Sequence, residues 1–170
     1  GNSFGTVGMI SGASVSSGYT GASGSNNAAI VSNATTLNTG TSTYFQFSIT
    51  AATNYDVALT GISFGSRSTG SGPAAYSLRS SADNYATSLA TGTMLTNSVW
   101  AFFSNTIQSL MANTGLNGTT TFRIYGYNGN GAATSGTANW RLDDITLNLA
   151  VTAAGCTANP GTFTAIPTNG

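Results

Sequence analysis

The sequence contains no histidine, lysine or glutamate and only one cysteine among its 170 residues. Without histidine there is no Ser-His-Asp or Cys-His pair and no imidazole metal site, so most hydrolytic mechanisms have no base. The acids are four aspartates, of which only Asp143 and Asp144 are adjacent. Neighbours on a strand point to opposite sides, whereas the acid and base of a glycosidase must flank one bond. We therefore expect a protein that is not an enzyme.

Charge is also scarce, because charged residues make up 5% of the chain and the formal net charge is zero. A neutral chain has no basic field that draws in a polyanion, so we expect no nucleic acid as a partner. No apolar run approaches the length of about 18 residues that a membrane helix needs, so we expect no membrane insertion. Net charge near zero does favour association between copies of a chain.

Hydroxyl residues, asparagine and glycine dominate the sequence, and 40% of the residues are hydrophobic. This composition disfavours long helices and predicts strands with a polar surface. Alternation with a period of two is clear in residues 44–50, where Phe45, Phe47 and Ile49 alternate with polar residues. Further strands are predicted over residues 7–10, 28–32, 55–64, 74–81, 119–127 and 140–149, whereas residues 94–110 fit neither period. About eight strands with polar turns predict an all-β fold, a two-sheet antiparallel β-sandwich of jelly-roll-like form.

The sandwich module is expected over residues 1–152, where the apolar pattern holds. Residues 153–170, with Asn159-Pro160-Gly161, are typical of a linker or of the start of a following module. Cys156 lies in this part and is the only cysteine, so it is free or pairs outside this sequence.

The alternation slips by one residue at two places, at Gly61 in residues 55–64 and at Asp143-Asp144 in residues 140–149. A slip of one residue predicts a β-bulge. Bulged backbone beside two carboxylates offers oxygen ligands of the kind that Ca²⁺ prefers, so Asp143 and Asp144 are candidate ligands of a structural calcium ion. The alternative is that one aspartate pairs with Arg141 or Arg123 and the other caps a turn.

Tyr44, Tyr125 and Tyr127 have the exposed parity on their strands, next to Arg123 and Asn128. Such rings can form a flat platform for sugars, with the arginine and the amide supplying hydrogen bonds. The alternative is that the rings pack across the sheet.

Other charged and aromatic residues are expected to have structural roles. We expect Arg79 or Arg123 to pair with Asp56 or Asp83. We expect Trp100 and Trp140 in the core.

Three pieces of the chain carry a resemblance to a known family. They are residues 45–64, the run from Gly72 to Asp83, and Phe122–Asn128 followed by Trp140–Ile145. Together they resemble a β-sandwich module of secreted and cell-surface multidomain proteins of bacteria, especially Bacteroidota. The last strand is also similar to that of calcium-binding jelly-roll carbohydrate-binding modules and of MAM domains. The resemblance implies an extracellular or cell-surface location and a structural calcium ion at Asp143 or Asp144.

Two functions from different classes remain open. The first is a non-catalytic extracellular binding or adhesion module, with a surface glycan or another extracellular protein module as its partner. The second is a structural subunit of an extracellular surface fibre or sheath that self-associates through sheet edges. The absence of lysine from the edges and the small-residue segment 1–27, which could add to a neighbour's sheet, favour the second.

Overall fold

The computed structural model describes residues 3–4, 8–11, 14–107, 118–131 and 137–154. Cys156 and nearly all of the predicted linker lie outside these residues. The described part holds ten strands and a 3-10 turn at Ser81–Asp83, and none of it forms a helix with the length and apolar character needed to cross a membrane. The strands are β1 (Ser3–Phe4), β2 (Gly8–Ser11), β3 (Asn27–Ile30), β4 (Tyr44–Thr50), β5 (Tyr55–Ser68), β6 (Ala75–Ser80), β7 (Ala90–Thr93), β8 (Trp100–Thr106), β9 (Thr119–Tyr127) and β10 (Trp140–Ala153).

The strands form two antiparallel sheets, which confirms the predicted all-β sandwich. Sheet A has the order β1-β4-β9-β6-β7, and sheet B has the order β2-β3-β10-β5-β8. The pairs β3 with β10, β4 with β9, β5 with β8 and β6 with β7 are nested like one long hairpin. The pairs β5 with β10 and β6 with β9 roll that hairpin into two layers. This is the strand arrangement of a jelly roll, with β1 and β2 added at one edge of each sheet.

Both predicted bulges are present where β5 pairs with β10. The register shifts between Asp143 and Thr146, where Asp144 and Ile145 lie opposite one residue of β5. It shifts again between Asn148 and Leu149, beside Gly61. Before the first bulge, β10 directs Trp140 and Leu142 into the core, and the bulge itself lies at Asp143 and Asp144.

The core lies between the two sheets, where aromatic rings pack against one another. Phe45 meets Trp140 edge to face with 4.6 Å between ring centroids, and Phe47 stacks on Phe122 at 5.3 Å. The indole Nε1 of Trp140, a fully buried residue, donates to Ser66 Oγ over 3.0 Å. Trp140 is therefore in the core, as predicted.

Trp100 is buried too, but on the outer face of sheet B. Its strand β8 turns Phe103 toward the core, so Trp100 and Phe102 point the other way. The segment of residues 14–26 contacts both rings: Trp100 Nε1 donates to the Ser14 carbonyl over 2.9 Å, and Tyr19 stacks at 5.7 Å on Phe102, which stays 49% exposed. Burial still alternates along β8 from Ala101 to Thr106, but the large rings of Trp100 and Phe102 on the outer face hide that alternation in the sequence.

Candidate functional site

Arg123 lies between two tyrosine rings on the outer face of sheet A. Its Cζ is 4.2 Å from the centroid of Tyr44 and 4.1 Å from that of Tyr85. Its Nε donates to Gln46 Oε1 over 2.9 Å and its Nη1 to Tyr125 Oη over 3.3 Å. Rings on both sides and two hydrogen bonds fix the plane of this guanidinium. We call Arg123 with these four partners the arginine cluster.

The predicted flat platform of Tyr44, Tyr125 and Tyr127 does not form. Tyr125 has 0% of its surface exposed, so its ring offers nothing to a ligand. It meets Tyr44 edge to face at 65°, and its hydroxyl donates to the Thr39 carbonyl over 3.2 Å. Tyr125 is buried because Tyr85, from another part of the chain, closes over its ring, with 6.4 Å between the two ring centroids. Tyr127 lies two residues farther along the same face of β9 and is partly exposed.

Tyr85, which the sequence analysis missed, is placed by the loop after the 3-10 turn. Asn84 and Tyr85 both have positive φ angles, 56° and 61°. Arg79 holds the loop by donating to the carbonyls of Tyr85 and Ala86, while the carboxylate of Asp83 accepts from the amides of Ala86 and Thr87. The Asp-Asn pair is a signal for a turn with a left-handed residue, but it does not show where the next ring goes.

Electrostatics keep Arg123 charged. Its partial burial alone would lower its pKa, but the hydrogen bond with Tyr125 and the phenols of Tyr85 and Tyr44 raise that pKa above its usual value. The expected pairs of Arg79 or Arg123 with Asp56 or Asp83 are replaced by neutral partners, since Arg79 binds carbonyls and Ser77 Oγ.

A polar groove of about 410 Å³ lies beside the arginine cluster. Hydroxyl and amide residues of the loop before β4 line it, with one alanine: Asn33, Ala34, Thr35, Thr36, Asn38, Thr41, Ser42 and Thr43. The Thr39 carbonyl in this loop accepts from Tyr125, and the Thr43 carbonyl accepts from the Gly126 amide. Groove and cluster therefore share one end of sheet A.

Asn128 lies at the same end of the sandwich. It is exposed, has a φ of 59°, and follows the last residue of β9. The amide of the next residue, Gly129, donates to the Ala34 carbonyl over 3.0 Å, which holds this turn against the groove loop. Four of the five predicted ligand residues thus keep some exposed surface at this end of the sheet, and the buried Tyr125 contacts two of them, Tyr44 and Arg123.

Asp143 and Asp144 lie at the bulge of β10, on the other sheet. Asp144 has a φ of 51°, and its amide donates to Asp143 Oδ1 over 2.9 Å. Its Oδ2 accepts from Tyr19 Oη at 2.5 Å and from the Ser23 amide at 3.2 Å. Partial burial alone would raise the pKa of Asp144, but these hydrogen bonds lower it below its usual value. Asp144 therefore fastens the covering segment of residues 14–26 to sheet B.

The described side chains do not form a calcium shell by themselves. Asp143 Oδ2 is buried without a hydrogen-bond partner, as a cation ligand would be, but the Asp144 carboxylate is already engaged. No group of three or more acidic, histidine or cysteine ligands exists in the described ranges. Calcium takes six to eight oxygens. The calcium ion stays a prediction, and unchanged melting after EDTA treatment would contradict it.

Comparison with known proteins adds no assignment, since no family model and no curated protein matches this sequence.

Proposed function

We propose that this chain is a non-catalytic extracellular binding module and that its ligand is a surface glycan. The groove lined by hydroxyls and amides beside the arginine cluster carries the proposal. Sugars present hydroxyls that pair with such groups and apolar ring faces that pack on aromatic side chains. Tyr44, which follows the groove residue Thr43 in the chain, and Tyr85 keep partly exposed surface in the arginine cluster.

Residue chemistry supports the non-catalytic part of the proposal. The groove contains no acid and no base, and the adjacent guanidinium is held by rings and neutral groups. The aspartate pair lies on the other sheet, where Asp144 is bound to Tyr19. A glycosidase would need two carboxyl groups about 5 to 9.5 Å apart in one cleft.

A glycan array with the whole chain tests the function, followed by titration of each hit. Thr41→Trp fills the exposed rim of the groove and should abolish binding. Thr53→Trp is the matched control, because Thr53 is equally exposed in the turn at the opposite end of β4. Absence of any bound glycan would end the proposal, and so would turnover of a bound glycan that Asp143→Ala abolishes.

A second candidate is the subunit of a surface fibre or sheath, favoured by one side of β10. Within the described strands, β3 pairs with β10 only at Trp140–Leu142, and residues 145–153 pair only with β5. Residues 1–27, predicted as the donor segment, instead supply β1 and β2 to the chain's own sheets. Filaments in electron micrographs of the intact protein would support this function, and soluble monomers at every concentration would exclude it.

A further inference from the structure

All four arginines of the chain lie in two cross-strand pairs, one on each sheet. Arg79 of β6 is directly opposite Arg123 of β9, and Arg67 of β5 is directly opposite Arg141 of β10. Like charges in directly opposed positions destabilise a sheet. On sheet B, burial and the opposed Arg67 lower the pKa of Arg141, whose Nη1 donates to Asn27 Oδ1.

The arginine pair of sheet A is held by neutral groups. No carboxylate of the described residues bonds to Arg79 or Arg123. The acid closest to them in sequence, Asp83, accepts from two loop amides. Positive charge is therefore concentrated here without a counter-ion, in a chain whose overall charge is zero.

The guanidinium of Arg123 is also prepared for one more partner. Its Nε and Nη1 are bonded, whereas its Nη2 has no partner among the described residues and is not a buried atom. The two tyrosine rings hold its plane at 4.2 and 4.1 Å. Nη2 keeps both of its N–H groups, and Nη1 keeps the one that Tyr125 does not accept, so the Nη1–Nη2 end of the guanidinium can donate charge-assisted hydrogen bonds to the two oxygens of a carboxylate.

We propose that Arg123 is the anchor for the carboxylate of an acidic sugar, such as a uronic acid, whose neutral hydroxyls occupy the adjoining groove. This inference rests on the glycan-binding function and names the class of glycan. The groove supplies hydroxyls and amides but no charge, which suits a sugar that carries a single acid group better than a strongly acidic peptide.

A purely structural role explains Arg123 less well. Pinning the loop of Tyr85 to the sheet is one such role. That loop is already held by Arg79 through two carbonyls and by Asp83 through two amides. Arg123 leaves its Nη2 available beyond this packing.

Calorimetric titration with a tetrasaccharide of one galacturonic acid and three neutral sugars, and with the methyl ester of the same tetrasaccharide, tests the inference. The ester keeps the sugar and removes the charge. We expect the acid form to bind about tenfold more tightly than the ester, because the charge-assisted bonds are lost in the ester. Arg123→Lys keeps the charge but loses the fork and should remove most of this preference, whereas the matched Arg67→Lys on sheet B should keep it.

If Arg123→Lys does not fold, NMR of the wild-type protein tests the carboxylate anchor instead. In NMR spectra the acid tetrasaccharide should shift the Arg123 Nε–H resonance, and the ester should not. Equal affinity for acid and ester would overturn the carboxylate anchor and leave glycan binding intact. An oligo-aspartate peptide that binds as tightly as the acid tetrasaccharide would overturn the sugar assignment. Binding of no glycan in the array or the titration would overturn both proposals.

Discussion

Ser66 has a larger role than its size suggests. Its hydroxyl accepts from the buried indole of Trp140 and lies 3.0 Å from the Arg141 carbonyl, to which it donates. The serine therefore satisfies two polar groups in the interior between the sheets. Removing one partner of a buried hydrogen bond costs the full desolvation of the group left behind.

We predict that Ser66→Ala lowers the free energy of unfolding by about 1 to 3 kcal/mol, because the Trp140 N–H is left buried without an acceptor. Denaturation in urea, followed by tryptophan fluorescence, measures the loss. Ser63→Ala on the same strand is the control, since Ser63 is half-buried and its hydroxyl makes no hydrogen bond to a described residue. Equal stability of the two variants would contradict the role of Ser66.

Tyr19 and Asp144 give the fold a dependence on pH. Because hydrogen bonds from Tyr19 and Ser23 outweigh burial and lower the Asp144 pKa from its ordinary value of 3.8, the ionised carboxylate stabilises the fold. This contribution is complete above the unfolded pKa and is lost as the pH falls through the lower folded pKa. Burial and Asp144 raise the pKa of Tyr19, so its phenol stays protonated across this range.

We predict that Tyr19→Phe lowers the free energy of unfolding at pH 7 by about 1 kcal/mol, a modest figure for a bond to a charge because the site is partly solvated. The variant should also lose less stability than the wild type between pH 5 and pH 2 (range set by the carboxylate pKa values). Urea denaturation across pH measures both effects. Tyr55→Phe, at an exposed tyrosine, should match the wild type, and an unchanged pH profile in Tyr19→Phe would count against the Asp144 contact.

At the scale of elements, the covering segment of residues 14–26 depends on a missing side chain. A Cβ atom at Gly65 would lie 1.9 Å from Tyr19 Oη, so the tyrosine lies flat on β5 only because that residue is glycine. The segment then covers Trp100 and places Tyr19 between Phe102 and Asp144. Glycine inside a strand also has a cost, because it makes the folded protein less stable than alanine would at the same position.

A double-mutant cycle tests this dependence. We predict that Gly65→Ala destabilises the wild type by about 2 kcal/mol, because Tyr19 must leave the sheet, and that the same change is neutral or stabilising in a Tyr19→Ala background. Chemical denaturation of the four proteins gives the coupling energy, which is expected to be on the order of 2 kcal/mol. Additive costs would show that Gly65 matters for another reason.

The strands differ in how well their sequences predict them. β4 and β9 begin and end where alternation predicts, because one face meets the core and the other meets solvent or polar groups. The bulge at Asp143 was visible as a change of parity. β7, with the sequence ATGT, has almost no apolar residues, and in β8 the rings of Trp100 and Phe102 on the outer face hide the alternation.

The residues of the candidate site also differ in how well the sequence predicts their positions. Tyr44 and Arg123 could be placed on one face from strand parity alone, since they lie on paired strands. The position of Tyr85 depends on a loop that folds back over the sheet, and the burial of Tyr125 depends on Tyr85 and on the Thr39 carbonyl. Such contacts join distant parts of the chain, so no local pattern indicates them.

At the scale of the whole molecule, one edge lacks the usual protection. The free side of β10 runs from residue 145 to 153 and carries no charged residue. Ile145, Leu149 and Val151 on this stretch are 38%, 45% and 58% exposed. Natural edge strands usually carry lysine, proline or a bulge that prevents pairing with another chain; here the bulge lies at the start of the stretch, at Asp144 and Ile145, and neither lysine nor proline follows it. A neutral molecule also adds no repulsion between copies.

We therefore predict that the wild type associates as its concentration rises and that Val151→Lys shifts it toward the 17.0 kDa monomer in sedimentation equilibrium. A lysine on the edge would have to be buried by a pairing strand, which is costly for a charge. Thr41→Lys is the matched control, because it adds the same charge in an exposed turn before β4, on the other sheet. Val151 is exposed, so its replacement should change the free energy of unfolding by less than about 0.5 kcal/mol. If both lysine variants reduce association equally, net charge rather than the β10 edge governs it, and a wild type that stays monomeric at every concentration would remove the edge as an interface altogether.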